Sequence, residues 1–311
     1  MEKIKYILVF FCSIALAGCF EKTTLDRLID NPTASDIKLI IDGTELTIPA
    51  KSEVNYSFEY GKHTMTYNND SINFIIKPAK FGGTTIINPT QSNYILHTNV
   101  YVTSAMKESE SDKVIEQQIN NIPIIINGEV TEIPLTAKLI NDVFIDQQDY
   151  DWDYGLDQDL PEEITREMSK NYAYSETLTK LYRESEYIKL LKQDDIEEEI
   201  SFPYQPKKFS EISSTHFFPT VDLNAIECEP GREYIKNLYD QWQHLFTLKG
   251  GDFVSKYNKL MDDSDFDKQK QLENICNNQI DPNRTYHTAM TDYNYNILRD
   301  ARDFNFFLIK Q

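Results

Sequence analysis

From residue 36 to about residue 135, apolar and polar positions alternate along the chain, the period of a strand with one buried face. Asp36-Ile37-Lys38-Leu39-Ile40-Ile41 and Thr44-Glu45-Leu46-Thr47-Ile48-Pro49 flank Asp42-Gly43. Asp-Gly between β-prone runs predicts a type I′ hairpin, because both central residues need positive φ. Val54, Tyr56 and Phe58 share a face of the next strand. Gly61-Lys62 turns the chain into residues 63–67, and residues 72–76 run up to Pro78. Gly82-Gly83 precedes residues 84–87, and residues 94–102 form a long alternating run. A second hairpin, residues 122–126, Asn127-Gly128 and residues 130–134, echoes the first, and Asn31-Pro32-Thr33 recurs as Asn88-Pro89-Thr90. Two origins fit these echoes. One is a weak internal duplication in which each copy supplies one hairpin edge. The other is independent reuse of common hairpin chemistry.

Beyond residue 163 the period lengthens to that of a helix. Pro161-Glu162-Glu163 reads as a first turn, with proline at N1 and acids favoured by the positive end of the dipole. Leu178, Leu181, Tyr182, Ile188 and Leu191 follow at helical spacing after Ser175. Pro203, Pro206 and Pro219 mark an irregular connection over residues 201–229. Tyr234, Leu238, Trp242 and Leu245 line one helix, which Gly250-Gly251 ends. Phe253, Tyr257 and Leu260 line a second, and Phe266, Leu272 and Ile275 a third. After Asp281-Pro282 a last helix begins near Thr285, with its stripe at Tyr286, Met290, Tyr293, Ile297, Ala301, Phe304 and Leu308. The expected fold is α+β in two domains. An antiparallel β-sandwich over residues 26–140 is joined by a linker, 141–163, to a mostly α-helical domain over 164–311.

The first 25 residues add an address. Lys3 and Lys5 precede an apolar run of about 11 residues, too short to cross a bilayer of roughly 30 Å as a helix. It ends in Leu16-Ala17-Gly18-Cys19. That run resembles the lipobox of bacterial lipoproteins. The resemblance implies a signal peptide over residues 1–18, a diacylglyceryl (and palmitate-type) acyl anchor on Cys19, and a tether over residues 19–25. Phe20 at the following position, where aspartate would retain the protein at the inner membrane, implies an outer-membrane lipoprotein of the cell envelope. Whether it faces the periplasm or the outer surface stays open. Two chains suffice for stable anchoring, where one is marginal.

Residues 36–68 carry a second resemblance. Ile41-Asp42-Gly43, Ile48-Pro49 and Gly61-Lys62-His63-Thr64 look like PEGA-type β-sandwich repeats of bacterial surface proteins. The glycine that family places between hairpin and proline is absent. The likeness implies a small structural or adhesive sandwich.

Charge narrows the partners. The chain carries a formal net charge of −19, which repels nucleic acid and anionic surfaces and attracts a basic protein or divalent cations. Cys12 departs with the signal and Cys19 takes lipid, leaving Cys228 and Cys276 as an even pair in an oxidising compartment. A disulfide is expected, with free thiols or a metal site as alternatives. No histidine or further cysteine lies at ligand spacing from either.

Catalytic signatures are missing: there is no nucleophile elbow, zincin helix, phosphate loop or dinucleotide fingerprint. His63, His97, His216, His244 and His287 are scattered. One run has ion-binding chemistry, because Asp149, Asp151 and Asp153 alternate as hard oxygen ligands suited to Ca²⁺. An EF-hand beginning at Asp149 would need glycine at position 154 and glutamate at 160, where this chain has Tyr154 and Leu160. The favoured reading is an acidic linker without cofactor, with a looser Ca²⁺ loop as the alternative. Tyr150, Trp152 and Tyr154 interleave with those acids and offer aromatic anchors for a protein partner. The expected function is that of a membrane-anchored, non-enzymatic protein-binding module. The alternatives are an immunity or inhibitor lipoprotein against a basic toxin, and an enzyme without a recognisable motif.

Overall fold

The computed structural model describes residues 22–164, 172–192, 198–262 and 266–310. The expected signal, Cys19 and the start of the tether lie outside the described residues, as do residues 165–171 of the helix expected after Pro161. Both hairpin turns form where the dipeptides place them. Asp42 and Gly43 have φ of 50° and 82°, and Asn127 and Gly128 have 50° and 85°.

The first unit comprises β1 (Thr24–Asn31), β2 (Ile37–Ile41), β3 (Thr44–Ile48), β4 (Ser52–Glu59), β5 (Gly61–Tyr67) and β6 (Asp70–Ile76). β1, which the sequence pattern did not reveal, pairs with β4 along its whole length, Thr24 opposite Glu59 and Asn31 opposite Ser52. The other four strands form the facing sheet. Ile29, Leu39, Phe58, Met65 and Phe74 are buried in one cluster between the two. The rings of Phe58 and Phe74 meet edge-on at 5.6 Å, a favourable aromatic arrangement. His63 is buried against this core, its ring nitrogens 2.6 Å from Asp42 Oδ2 and from the Glu59 carbonyl. The Gly-x-His spacing thereby ties β5 to the Asp-Gly turn.

The chain then builds a second unit: β7 (Thr85–Ile87), β8 (Tyr94–Val102), α1 (Glu108–Glu116), β9 (Asn120–Ile126), β10 (Glu129–Leu135), β11 (Ala137–Ile140), β12 (Phe144–Asp146) and β13 (Ser175–Arg183). Its topology repeats that of the first. β7 pairs with β12 as β1 pairs with β4, and β8 lies between β11 and β13 as β2 lies between β3 and β5. The units meet where β1 and β7 run parallel, Leu28 opposite Ile86 and Ile29 opposite Ile87. The shared sheet therefore reads β12-β7-β1-β4. Ile29 and Ile87 enter the first core. Leu28, Ile86 and Ile145 enter a second core, with Tyr94, Leu96, Ile140 and Leu181. One sandwich thus sits on each face of a common sheet, the arrangement a two-fold axis along the β1–β7 seam would produce.

The repeated Asn-Pro-Thr turns are equivalent in this scheme, and the match extends to Asn-Pro-Thr-Ala-Ser and Asn-Pro-Thr-Gln-Ser. Both asparagines are fully buried. Asn31 Nδ2 donates to the carbonyls of Ser35, Ile48 and Pro49 at 2.9, 3.1 and 2.9 Å. Asn88 Nδ2 donates to those of Ser92 and Asp142 at 2.9 and 3.1 Å. Each asparagine clasps the chain just before its partner strand, β4 or β12. The two hairpins are not equivalent. Asp42-Gly43 joins β2 to β3, whereas Asn127-Gly128 belongs to an insertion between β8 and β11.

The outer faces of both sandwiches are covered. α2 (Glu184–Leu191) and the small sheet of β10, β9 and β14 (Ile200–Ser201) cover β8, β11 and β13 through Ile95, Ile122, Ile124, Tyr187 and Phe202. On the far side lie α3 (Glu229–Leu245), α4 (Gly250–Asp262), α5 (Phe266–Ile275) and α6 (Thr285–Tyr293), followed by β15 (Phe306–Ile309). β15 pairs with β6, Phe307 opposite Ile75. Phe307 meets Trp242 of α3 with ring centroids 5.9 Å apart, while Phe306 stacks on Phe144 at 4.9 Å in the sandwich interior. The expected disulfide joins Cys228, just before α3, to Cys276, just after α5, with Cα atoms 5.5 Å apart. The observed class is α+β, with antiparallel sheets in the N-terminal part and helices in the C-terminal part.

Five expectations change. Pro161-Glu162-Glu163, expected as a first helical turn, are not helical, and Gly250-Gly251, expected to end a helix, instead open α4 after α3 has stopped at Leu245. Residues 175–183 are β13 rather than helix, because the segment pairs along its whole length with β8, from Ser175–Val102 to Arg183–Tyr94. Nine ladder positions and two β-branched threonines favour the strand, so helix begins only at Glu184. The C-terminal stripe is helical through Ala301, by way of a π-helical turn over Asn294–Arg299. Leu308 instead belongs to β15, where Phe306, Phe307 and Leu308 are all buried. Residues 141–163, expected as a linker, supply β12 and the core residues Trp152 and Leu156.

Candidate functional site

A polar cavity of about 360 Å³ opens between β12, the segment after Pro203 and the end of β15. Asp146 ends β12 and caps a single helical turn, Gln147–Tyr150, accepting from the Gln148 N–H at 2.9 Å. Burial raises the Asp146 carboxyl above its ordinary range, against the hydrogen bonds it accepts from Thr85 and Gln148. The turn stops at Asp151, whose φ is 52°, and leaves Asp149 and Tyr150 side by side at the cavity.

The opposite wall is the stretch Ser213-Ser214-Thr215-His216. It is fixed by strand-like bonding to β15, because Leu308 N–H donates to the His216 carbonyl at 2.8 Å and Phe218 N–H to the Leu308 carbonyl at 2.7 Å. The buried His216 ring lies against Phe304 and Phe306, with centroids at 4.4 and 4.9 Å. Its Nε2 is 2.7 Å from Asp149 Oδ2. Across the cavity the Tyr150 hydroxyl donates to Asp142. Burial, then this contact, raise the Tyr150 phenol well above its ordinary range. Lys207 is held by its backbone, its N–H donating to Gln91 Oε1 at 2.9 Å. The Ser214 hydroxyl accepts from the His216 N–H at 3.1 Å. The set amounts to two carboxylates, a phenol, an imidazole and one ammonium. Such a lining suits a cationic group that enters and hydrogen-bonds to carboxylate oxygens.

The expected calcium residues are spread over separate partners. Asp149 meets His216. Asp153 Oδ2 accepts from Thr179 N–H and Oγ1 at 2.8 and 3.0 Å. Asp151 offers its backbone carbonyl to Thr179 Oγ1 at 2.9 Å. Among the described residues no group of three histidine, cysteine or acidic side chains is arranged to hold a metal ion. Of the expected aromatic anchors, Tyr150 reaches the cavity. Trp152, 4 % exposed, is in the second core, and Tyr154 is bridged to Lys180 of β13. The run lies against β13 because Asp153 and Tyr154 N–H both donate to the Thr179 carbonyl.

A second polar centre pins the two units together. Arg183, at the end of β13, donates to the fully buried Asp30 of β1 at 2.9 Å and to Glu53 of β4. The Tyr94 hydroxyl donates to Asp30 at 2.5 Å. His216, Asp142 and Lys207 escaped the sequence search because they lie far apart in the chain, without a local spacing to mark them. No family model, curated protein or solved structure matches this chain.

Proposed function

We propose that this protein is a membrane-anchored envelope lipoprotein that acts as a non-enzymatic binding module for a basic protein partner. The lipobox-like Leu16-Ala17-Gly18-Cys19 supplies the anchoring part of that reading. The observation that carries the binding part is the cavity beside Asp142, Asp149 and Tyr150. It is large enough for one lysine or arginine side chain and presents two carboxylates in a strongly acidic molecule. The paired sandwiches give this mouth a rigid mount, since binding groups held on packed elements lose little order on association. Electrostatic steering by the net charge of −19 favours fast capture of a basic surface and weakens with salt.

The test is crosslinking followed by recovery from membranes, comparing the native chain with Cys19→Ala and with Asp142→Asn plus Asp149→Asn. One basic protein recovered in near-equal amount, and lost on removal of the two carboxylates, is the expected result. Recovery of nothing specific, or of the same protein from the doubly substituted chain, overturns the assignment.

A further inference from the structure

The chain leaves very little slack between the proposed anchor and the folded body. Lys22 is three residues beyond Cys19, and β1 begins at Thr24. An extended chain covers at most about 3.6 Å per residue, so Cys19 lies within about 11 Å of Lys22. A body carried so close to its lipid must rest one particular end on the bilayer.

The strand directions say which end. β1 runs away from Thr23, and β7, parallel to it with Leu28 opposite Ile86, runs the same way. β4 and β6 are antiparallel to β1 and β5, so both run back toward this pole. The Tyr60 N–H donates to the Thr23 carbonyl at 2.9 Å, and the Gly250 N–H to the Tyr60 carbonyl at 2.8 Å. The loop from the end of β6 to the start of β7, residues 77–84, therefore stands at the same pole as Thr23. At its tip is Phe81, 56 % exposed.

Phe81 is hydrogen-bonded through its backbone, its N–H donating to the Arg302 carbonyl at 2.9 Å and its carbonyl accepting from Gln148 Nε2 at 2.7 Å. The Lys80 ammonium lies 5.2 Å from the ring centroid. Lys22, Lys62, Lys249 and Arg302 are also exposed at this pole. They partly offset neighbouring acids such as Glu59, Asp252 and Asp42, whose Oδ2 is 3.8 Å from Lys249 Nζ, and so weaken at this pole the repulsion from anionic headgroups that the chain as a whole would feel. An exposed aromatic beside lysines, close to an acyl anchor, has the chemistry of a membrane–water interface.

We propose that this pole is a bilayer-contacting face, with Phe81 seated at the headgroup–acyl boundary and the lysines among the headgroups. The proposal rests on acylation of Cys19. It makes the Asn31 and Asn88 turns the membrane-distal end, and it makes the lipid a fixed orienting contact rather than a loose leash.

The test uses the full acylated chain in vesicles of mixed zwitterionic and anionic lipid, with Phe81→Trp compared with Ala34→Trp at the distal turn. The native Trp152 and Trp242 are both buried and give the same background in each. The expected result is a blue shift of Phe81→Trp emission and its loss when the acyl chains are brominated, with Ala34→Trp unchanged. Two results overturn the proposal: equal quenching of both variants, or a blue-shifted Phe81→Trp that brominated lipid does not quench, which assigns the face to a protein or a second copy of this chain. Flotation with the vesicles and the mass of the Cys19 peptide are read in the same samples. Absence of acyl mass refutes the anchoring reading, whereas a floating, acylated chain with unquenched Phe81→Trp refutes this proposal alone.

Discussion

Replacing either clasp asparagine by alanine should cost about as much as replacing the other, although nothing but a five-residue echo links them in sequence. Asn31 contributes two side-chain N–H groups to three carbonyls, while its Oδ1 accepts from Thr33 N–H and Oγ1 at 3.2 and 2.7 Å. Asn88 contributes two N–H groups to two carbonyls, while its Oδ1 accepts from Thr90 Oγ1 and Ser92 N–H, each at 3.1 Å. Asn31 thus makes five hydrogen bonds, two of them sharing one N–H, and Asn88 four, worth roughly 1 kcal/mol per donor or acceptor position. Water can reach the Asn31 turn after truncation, which brings the loss there to about 3 kcal/mol; residues 88–91 are buried, so the loss at Asn88 is at least as large. Urea unfolding followed by circular dichroism, with the disulfide intact, reads this directly. For an m-value near 3 kcal/mol/M, the midpoint falls by about 1 M. Asn→Asp should be worse in both places, because it points a carboxylate oxygen at backbone carbonyls. A loss under about 0.5 kcal/mol for Asn88→Ala, beside a large one for Asn31→Ala, would show that the turns are not equivalent clasps.

Three further outcomes follow from other parts of the molecule. Reduction of Cys228–Cys276, 48 residues apart in sequence, or Cys→Ala at both positions, should lower stability by about 4 kcal/mol in the chain-entropy model, read as a drop in thermal midpoint. Gly61→Ala should lower the urea midpoint by an amount corresponding to about 2 kcal/mol. Its φ is 134°, and a Cβ there would stand 2.7 Å from the Leu248 carbonyl oxygen. Burial opposes ionisation of Asp281, but hydrogen bonds from Thr285 and Tyr286 outweigh it and hold the carboxyl below its ordinary value. A depressed carboxylate stabilises the fold at pH above its unfolded value and loses that contribution as pH falls through its folded value. The stability difference between the native chain and Asp281→Ala should therefore be full at pH 6 and shrink below about pH 4; a difference that grows on acidification would contradict the assignment.

The parts of this architecture that could be read in advance are those specified by neighbours in sequence. Asp42-Gly43 and Asn127-Gly128 demand positive φ wherever they occur, and α3 and α4 carry unbroken stripes from Gly231 to Leu245 and from Phe253 to Leu260. Leu178, Leu181 and Tyr182 carry a helical spacing, and it is the ladder with β8, some eighty residues away, that makes the segment a strand. Phe304 and Leu308 prolong a helical spacing by coincidence, while the edge of β6 claims the segment. At the cavity, the acidity around Asp149 was visible, but its counterpart His216 is brought there by β15. The recurring Asn-Pro-Thr was legible as an echo. Its meaning, two sandwiches on opposite faces of one sheet, depends on the parallel seam between β1 and β7.

The last strand has a consequence for the order of assembly. β6 has no neighbour on one side until residues 306–309 arrive, and those four residues place Phe306 in the sandwich interior and Phe307 against α3. The Lys77 ammonium, at the end of β6, donates to the carbonyls of Asp300 and Ala301 at 3.3 and 2.9 Å, tying the same seam a second time. A chain emerging from its N-terminus must hold an open sheet edge, with its core incomplete, until residues 306–309 appear. Such an edge invites pairing with other chains while it waits. Loss of residues 306–309 would accordingly be felt far away in the sequence, as a failure of the first sandwich to close.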